Sequence, residues 1–231
     1  MKEFFQLIRD FFQSPDFKIY AEAVWSTIRV TVVSTFFAYV IGIPLGVVLY
    51  GTDAGGLFPN RTVNAVLGVV VNILRSIPFI VLLVLTRPVA KWLVGAKLGD
   101  NAFIVHLVIA AAPFVARMIE SSLKEVNKGV IEAAESMGST KWQIIYKVMI
   151  PEAKPSLITG SAIAITTILG YTPMTYLISG GGLGQLAILF GIYRFDAKSM
   201  YISSILLIIL VQVMQEVLSR LARRTDHRSK K

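Results

Sequence analysis

Cysteine is absent from this chain, and charged residues are scarce. Because none of the 231 residues is cysteine, the protein has no disulfide, thiolate metal site or cysteine nucleophile. Only 16% of the residues are charged, against about a quarter in soluble domains. Hydrophobic residues make up 55% of the chain and the mean hydropathy is +0.66. These values indicate a protein whose solvent is a bilayer, with room for several membrane spans but not for a large extramembrane domain as well.

The motifs of common catalytic and nucleotide-binding sites are also missing. The sequence has no GxxxxGK[ST] phosphate-binding loop, no HExxH and no GxSxG, and its apolar runs hold almost no carboxylates. These absences argue against a membrane-embedded enzyme. Energy for any transport would have to come from another polypeptide or from an ion gradient, and a carrier driven by a gradient would call for acids within its spans.

Five segments are long and apolar enough to cross a membrane, which takes about 20 residues in a helix. We read all five as helices, because nothing in the sequence alternates as the strands of a barrel do. The sequence therefore predicts an all-α integral membrane fold, with a transmembrane domain over residues 21–219. The predicted spans are 24–50, 63–86, 102–119, 155–179 and 200–218.

The net charge of +9 could suggest nucleic acid, but in so apolar a chain it is typical of basic residues held on the cytoplasmic side. One side of the membrane would carry 13 of the 23 Lys and Arg residues, mainly in the 117–154 loop and the tail at 220–231, against eight on the other. The sequence thus predicts a cytoplasmic loop and tail, an external N-terminus and no nucleic-acid partner.

Residues 1–20 carry phenylalanines and aliphatic residues at helical spacing, opposed by charged residues. This pattern predicts an amphipathic helix in the outer membrane interface, before Ser14 and Pro15 turn the chain inward. A loosely ordered tail is the alternative.

The cytoplasmic loop at 120–154 reads as a helical hairpin. The sequence predicts a short helix over 130–137 with Gly138 as its C-cap, then a second helix that Pro151 ends. A helix of about eight residues is marginal alone in water, so it needs a partner surface. The small residues Ala133 and Ala134 would permit close approach, and Glu132 and Glu135 would offer charge. A solvated connector is the alternative reading.

This loop resembles the EAA signature of ABC importer permeases. The signature consists of EAA, three residues, Gly, nine residues and an aliphatic-x-aliphatic-Pro ending. The sequence meets this spacing at Glu132-Ala133-Ala134, at Gly138 and at Val148-Met149-Ile150-Pro151. Further stretches resemble the methionine-type subgroup of these permeases, namely Asn72–Phe79, Gly170-Tyr171, Gly180–Gly184 and Tyr193–Phe195.

The resemblance implies a type I importer fold with five spans and a homodimer in the bacterial inner membrane. It also implies two copies of a separate ATPase, which would hold ATP and Mg while this chain binds no cofactor. A periplasmic or lipid-anchored binding protein would deliver an amino acid, for which methionine is the leading candidate. Where the subgroup typically has Gly-Tyr-Ser-Ala-Met, this chain has Thr172 and Pro173 before Met174. A secondary amino-acid transporter driven by an ion gradient is the alternative function.

Several residues within the predicted spans are candidates for the translocation pathway. Arg75 should face protein or water, either in a structural pairing or in the pathway itself, because a charge at mid-bilayer is costly. Pro78 would free a carbonyl near it, and His106 reads as a core histidine with a partner. On the fourth span, Tyr171 and Pro173 would line the pathway, and Met174 would form an apolar seal with its copy across a dimer axis.

Two glycine patterns complete the prediction. The glycine run has no strand–helix context, and Gln185 stands where a dinucleotide fingerprint would need its third glycine. We interpret the run as a backbone turn or loop at the outer mouth, with a plain flexible loop as the alternative; its glycines are Gly180, Gly181, Gly182 and Gly184. Gly42 and Gly46 have the spacing that lets helices approach closely, and they predict a packing contact.

Overall fold

A computed structural model describes residues 15–225, and this range contains helices and turns but no strand. The all-α prediction is confirmed. The residues that carry the predicted interfacial helix at 1–20 precede Ser14 and lie outside the described residues; the first long apolar helix begins at Pro15, where the chain was predicted to turn inward. The end of the basic tail, from 226 to 231, also lies outside the described residues.

The helices succeed one another with short connections. In chain order they are α1 (Pro15–Thr52), α2 (Arg61–Ser76), α3 (Phe79–Leu85), α4 (Arg87–Val94), α5 (Asp100–Lys124), α6 (Lys128–Ser136), α7 (Lys141–Gln143), a π-helical segment (Ile144–Met149), α8 (Ile150–Tyr171), a 3-10 segment (Thr172–Ile178), α9 (Leu183–Ile188), a second π-helical segment (Leu189–Tyr193) and α10 (Ala197–Thr225). Four continuous stretches are long and apolar enough to span a membrane, and a bent pair, α2 with α3, makes up to five.

Helix α5 is the centre of the bundle. Buried residues make up 61% of its apolar window, against 6% for the peripheral α10. Its side chains Phe103, Leu107 and Ile119 belong to the largest core cluster. The contact of α5 with α1 depends on glycine: a Cβ at Gly46 would lie 2.6 Å from the carbonyl oxygen of Ala116, which no real structure tolerates. The predicted close packing is confirmed.

The second predicted span, 63–86, is not one straight helix. Helix α2 ends at Ser76, and α3 leaves it at an angle of 107°. The cause is Pro78, which has no N–H to donate to the carbonyl of Leu74 and disfavours a helical backbone at the preceding residue. Ile77 is accordingly extended, with φ −77° and ψ 123°.

The prediction that Pro151 ends the helix before the fourth span is wrong. The helical stretch runs from Lys141 to Ile178, and Pro151 lies in the first turn of α8. The π-helical segment precedes it, with the N–H of Ile150 donating to the carbonyl of Ile145. In a π-helix each N–H donates to the carbonyl five residues earlier, instead of four as in an α-helix. The wider turn leaves room for the proline ring, which would clash in an α-helix. The π segment therefore makes the second helix of the hairpin and the fourth span one continuous helical stretch.

Candidate functional site

A cavity of about 170 Å³ lies beside the bend between α2 and α3. Its lining comes from the bend, the middle of α5 and the last turns of α8. The lining residues are Leu74, Arg75, Ile77, Phe79, Leu82, Ala110, Ala111, Phe114, Ala164, Thr167 and Tyr171. The cavity thus joins the two segments in which the sequence predicted pathway residues.

Arg75 lies in the last turn of α2, with an exposed side chain, and is the one charged residue among the described residues that line the cavity. Among residues 17–222 it forms no hydrogen bond or ion pair. Its expected structural pairing is therefore not found within the described chain.

The wall opposite α2 is aromatic. The rings of Tyr171 and Phe79 stack at 4.4 Å with 14° between their planes, and Phe79 meets Phe103 edge to face at 5.8 Å. Tyr171 ends α8, after which the chain tightens into the 3-10 segment that contains Pro173 and Met174. Met174 is half-buried against the main core, one turn beyond Tyr171, and does not line this cavity.

The glycine run is a fixed loop rather than a loose one. Gly181 donates its backbone N–H to Asp100 Oδ1 at 2.6 Å, and Leu183 donates to Thr27 Oγ1 at 2.9 Å. Gly182 has φ +104°, a conformation that favours glycine. A Cβ at Gly184 would lie 2.6 Å from the backbone nitrogen of Pro173, so the loop packs directly on the 3-10 segment.

Asp100 organises this end of the molecule, and sequence reasoning missed it. Besides Gly181, its carboxylate accepts a hydrogen bond from Ser26 at 2.6 Å and an ion pair from Arg29 at 3.2 Å. It thereby ties α1 and the glycine loop to the start of α5. An acid after Gly99 at a helix start was visible in the sequence, but partners more than 70 residues away in the chain were not.

The hairpin between the third and fourth predicted spans projects helix α6 from the bundle. Asn127 caps its start by accepting from the N–H of Gly129 at 2.8 Å, and Gly138 ends it with φ +77°. The predicted C-cap at Gly138 is confirmed, and the helix begins at Lys128, two residues before the predicted start. Glu132, Ala133 and Glu135 are exposed.

Ala134 does not share that exposure. Its side chain is 8% exposed and belongs to the main core cluster, where it packs with the π-helical segment. The expectation that Ala133 and Ala134 both offer a close approach to a partner is therefore wrong for Ala134. The two alanines face different ways because successive residues on a helix are about 100° apart.

Exposed aromatic side chains lie next to α6. Trp142 and Tyr146 stack at 6.1 Å, and Phe58 from the loop after α1 contacts Trp142 at 5.8 Å. In the helical stretch that follows α6, Ile145 and Met149 are buried, whereas Trp142 faces outward. Met137, at the end of α6, is 85% exposed. Met137, Trp142 and Tyr146 together form an apolar surface on the side that the charge count assigns to the cytoplasm.

An ion network connects this hairpin to the spans. At the end of α5, Glu120 pairs with Arg117 at 2.8 Å and with Lys124 at 2.9 Å, and Lys124 also reaches Asp53 at 2.8 Å. The hydrogen bond from Lys124 holds the pKa of the Asp53 carboxyl below its usual value. Arg117 donates to the Gly68 carbonyl at 3.2 Å, so the network spans α1, α2 and α5.

His106 is fully buried on α5, with its Nδ1 2.6 Å from the hydroxyl oxygen of Thr86. The prediction of a core histidine with a partner is confirmed. Thr86 in turn donates to the carbonyl of Leu82, so this contact fixes the end of α3 against α5.

The described chain has several apolar spans, a polar hairpin between two of them and a cavity at a broken helix. These features are typical of a multi-pass helical permease. The chain belongs to the family described as binding-protein-dependent transport system inner membrane component, whose model matches residues 42–228. The resemblance to ABC importer permeases is thus confirmed, as are the inner-membrane location and the type of fold.

Similar proteins carry related names. The probable D-methionine transport system permease protein MetI of Vibrio cholerae is 46% identical over 206 residues, covering 89% of this chain and 92% of that protein. The methionine import system permease protein MetP of Bacillus subtilis is 44% identical over 167 residues, covering 72% and 75% respectively.

Solved structures show the same fold. A structure of the MetNI methionine ABC transporter in an inward-facing conformation matches with a TM-score of 0.90 and 41% identity, covering 93% of this chain and 99% of that chain. An amino acid ABC transporter matches with a TM-score of 0.72 at 18% identity, a likeness that concerns the fold alone.

Proposed function

We propose that this chain is the permease subunit of an ATP-driven importer of methionine, D or L. The observation that carries the proposal is the similarity to methionine permeases over nearly the full length of both chains. Two copies of the chain would enclose the pathway, and two copies of a separate ATPase would hold the ATP and Mg. The ion-gradient alternative is not favoured, because the family is that of transport systems served by a binding protein.

The ATPase would dock on helix α6 and its surroundings. The docking surface would comprise Glu132, Ala133, Glu135 and Gly138, which are exposed, together with the aromatic residues Trp142 and Tyr146. Ala134 and Pro151 would transmit the motion instead. Ala134 packs on the π-helical segment, and Pro151 lies where that segment enters the fourth span.

The pathway would follow the bend of the second span and the end of the fourth. Arg75, Pro78 and Tyr171 would lie along it, and Pro173 and Met174 would form its gate. The glycine loop, Gly180 to Gly184, would shape the outer mouth, where a periplasmic or lipid-anchored binding protein releases its cargo. This arrangement has the N-terminus outside and the C-terminus in the cytoplasm.

Reconstitution tests the proposal. The chain is co-expressed with its ATPase, purified through a tag on the permease and placed in vesicles with the binding protein. We expect the ATPase to co-purify in equal amounts and labelled methionine to accumulate only with ATP and Mg. Uptake that follows a sodium or proton gradient without an ATPase would overturn the proposal in favour of a secondary transporter.

A further inference from the structure

We propose that the cavity at the bend of the second span is a binding site for the amino-acid zwitterion in transit, with Arg75 as the ligand of the α-carboxylate. This inference rests on the proposed function, since it assumes that an amino acid passes through the chain. It adds the chemistry by which the permease itself recognises the cargo.

The charge of the cavity points to an anionic group. Within the described part of the chain, Arg75 is the one charged lining residue, and the other lining residues are aliphatic or aromatic, apart from Thr167. The hydroxyl of Thr167 donates to the carbonyl of Ile163 at 2.9 Å, so this donor is already used. A guanidinium without a protein anion, next to apolar walls, attracts a planar carboxylate that it can bind through two parallel hydrogen bonds.

The broken helix supplies an acceptor for the ammonium group. Leu74 lines the same cavity, and its carbonyl has lost its helical donor because residue 78 is proline. The end of a helix also carries partial negative charge. A cation bound at the end of α2 and an anion bound by Arg75, the next residue in the chain, would match the two charges of an amino-acid zwitterion, whereas an inorganic anion has no positive group.

The apolar wall suits a small, flexible side chain. The small residues Ala110, Ala111 and Ala164 leave the space, and Phe114 closes it. The volume of about 170 Å³ is below the roughly 300–1,000 Å³ of pockets for drug-sized ligands, so it suits a single amino acid. An unbranched thioether chain would fill such an irregular apolar space well.

A cysteine-protection experiment tests this site, and the absence of native cysteine makes it specific. In the permease–ATPase complex, without binding protein, Thr167→Cys places the one thiol in the cavity. We expect methionine to slow its modification by a small methanethiosulfonate reagent, and methioninol, which lacks the carboxylate, to have little effect. Phe195→Cys, at an exposed position that does not line the cavity, serves as control and should not be protected.

The same measurement in a second background isolates the role of Arg75. With Arg75→Gln, the methionine concentration for half-protection should rise roughly tenfold to hundredfold, the range for loss of a hydrogen bond to a charged group. Arg75→Lys should give an intermediate value. Arg61→Gln, at the exposed other end of α2, should leave the value unchanged.

Each outcome decides the proposal. Protection that is absent in the parent complex, equal with methioninol, unchanged by Arg75→Gln or produced instead by anionic lipid would overturn the site. If Arg75→Gln does not assemble with the ATPase, Arg75→Lys decides by the same comparison. ATP-dependent methionine uptake by the parent complex is measured in parallel; its presence with no protection rejects the site and keeps the importer, whereas its absence rejects the importer itself.

Discussion

A single carboxylate, that of Asp100, holds together three parts of the chain at the end of the bundle that we assign to the outside. It accepts hydrogen bonds from Ser26 and from the backbone of Gly181, and it pairs with Arg29. Charge-assisted hydrogen bonds of this kind are about twice as strong as neutral ones. The glycine loop can therefore present a defined surface, and Asp100 is the residue that makes it rigid.

The closest packing of that loop is at Gly184, and it gives a testable prediction. A Cβ at this position would lie within 3 Å of the backbone of Thr172 and Pro173. We expect Gly184→Ala to cost about 1–3 kcal/mol, the usual penalty of overpacking, and so to lower the apparent melting temperature of the purified complex by several degrees.

Gly170→Ala is the matched control. A Cβ at Gly170, near the end of α8, would meet no atom of the described residues within 4 Å. Alanine is also the better helix former there, so stability should stay equal or rise. Equal melting temperatures for both variants would contradict the packing of the loop on the 3-10 segment.

Helix α6 is an element with two different faces. Its composition predicted a short helix with a C-terminal glycine, and both features are present because capping and propensity are local properties. Which alanine faces the bundle was decided by the π-helical segment that packs beneath it. The broken second span likewise combines a local and a tertiary cause. Pro78 was visible in the sequence, but the angle of 107° depends on the neighbours of α3.

The two faces predict different outcomes for adjacent leucine substitutions. Ala133→Leu adds bulk to the exposed face, so we expect normal thermal stability of the permease but weaker co-purification of the ATPase. Ala134→Leu adds the same bulk to the core, so we expect a loss of about 1–3 kcal/mol of stability. Identical behaviour of the two variants in thermal melting and co-purification would disprove the assignment of the faces.

At the scale of the whole molecule, much of the surface still needs a neighbour. Few residues of helix α10 are fully buried, and apolar side chains line the outside of α2 and α3. Lipid would cover part of this surface, and the proposed homodimer would cover another part. Two experiments with single cysteines address the assembly and its orientation, and both rely on the absence of native cysteine.

Met174→Cys tests the gate between two copies. If paired Met174 side chains seal the pathway at a dimer axis, a mild oxidant should link the two subunits through this position in the resting complex, giving a dimer on a non-reducing gel. Met149→Cys, fully buried within one protomer, should stay monomeric. A Met174→Cys complex that remains monomeric would count against the gate.

Orientation is tested by a second pair of positions. Met137, in the hairpin, and Phe195, before α10, are each 85% exposed. In vesicles that carry the permease without its ATPase, which would cover the hairpin, an impermeant thiol reagent should modify Met137→Cys only when they are inside-out and Phe195→Cys only when they are right-side-out. The reverse pattern would show that the bias of basic residues was misread and that the hairpin lies outside.

The sequence by itself determined the all-α membrane class, the approximate spans, the hairpin and its motif, because hydropathy, caps and charge asymmetry are properties of neighbouring residues. The tertiary structure alone decided that Arg75 and Tyr171 share a cavity, that Asp100 holds the glycine loop and that Ala134 faces inward. Those facts depend on contacts between residues far apart in the chain. Such contacts are set by the packing of helices, which no local pattern records.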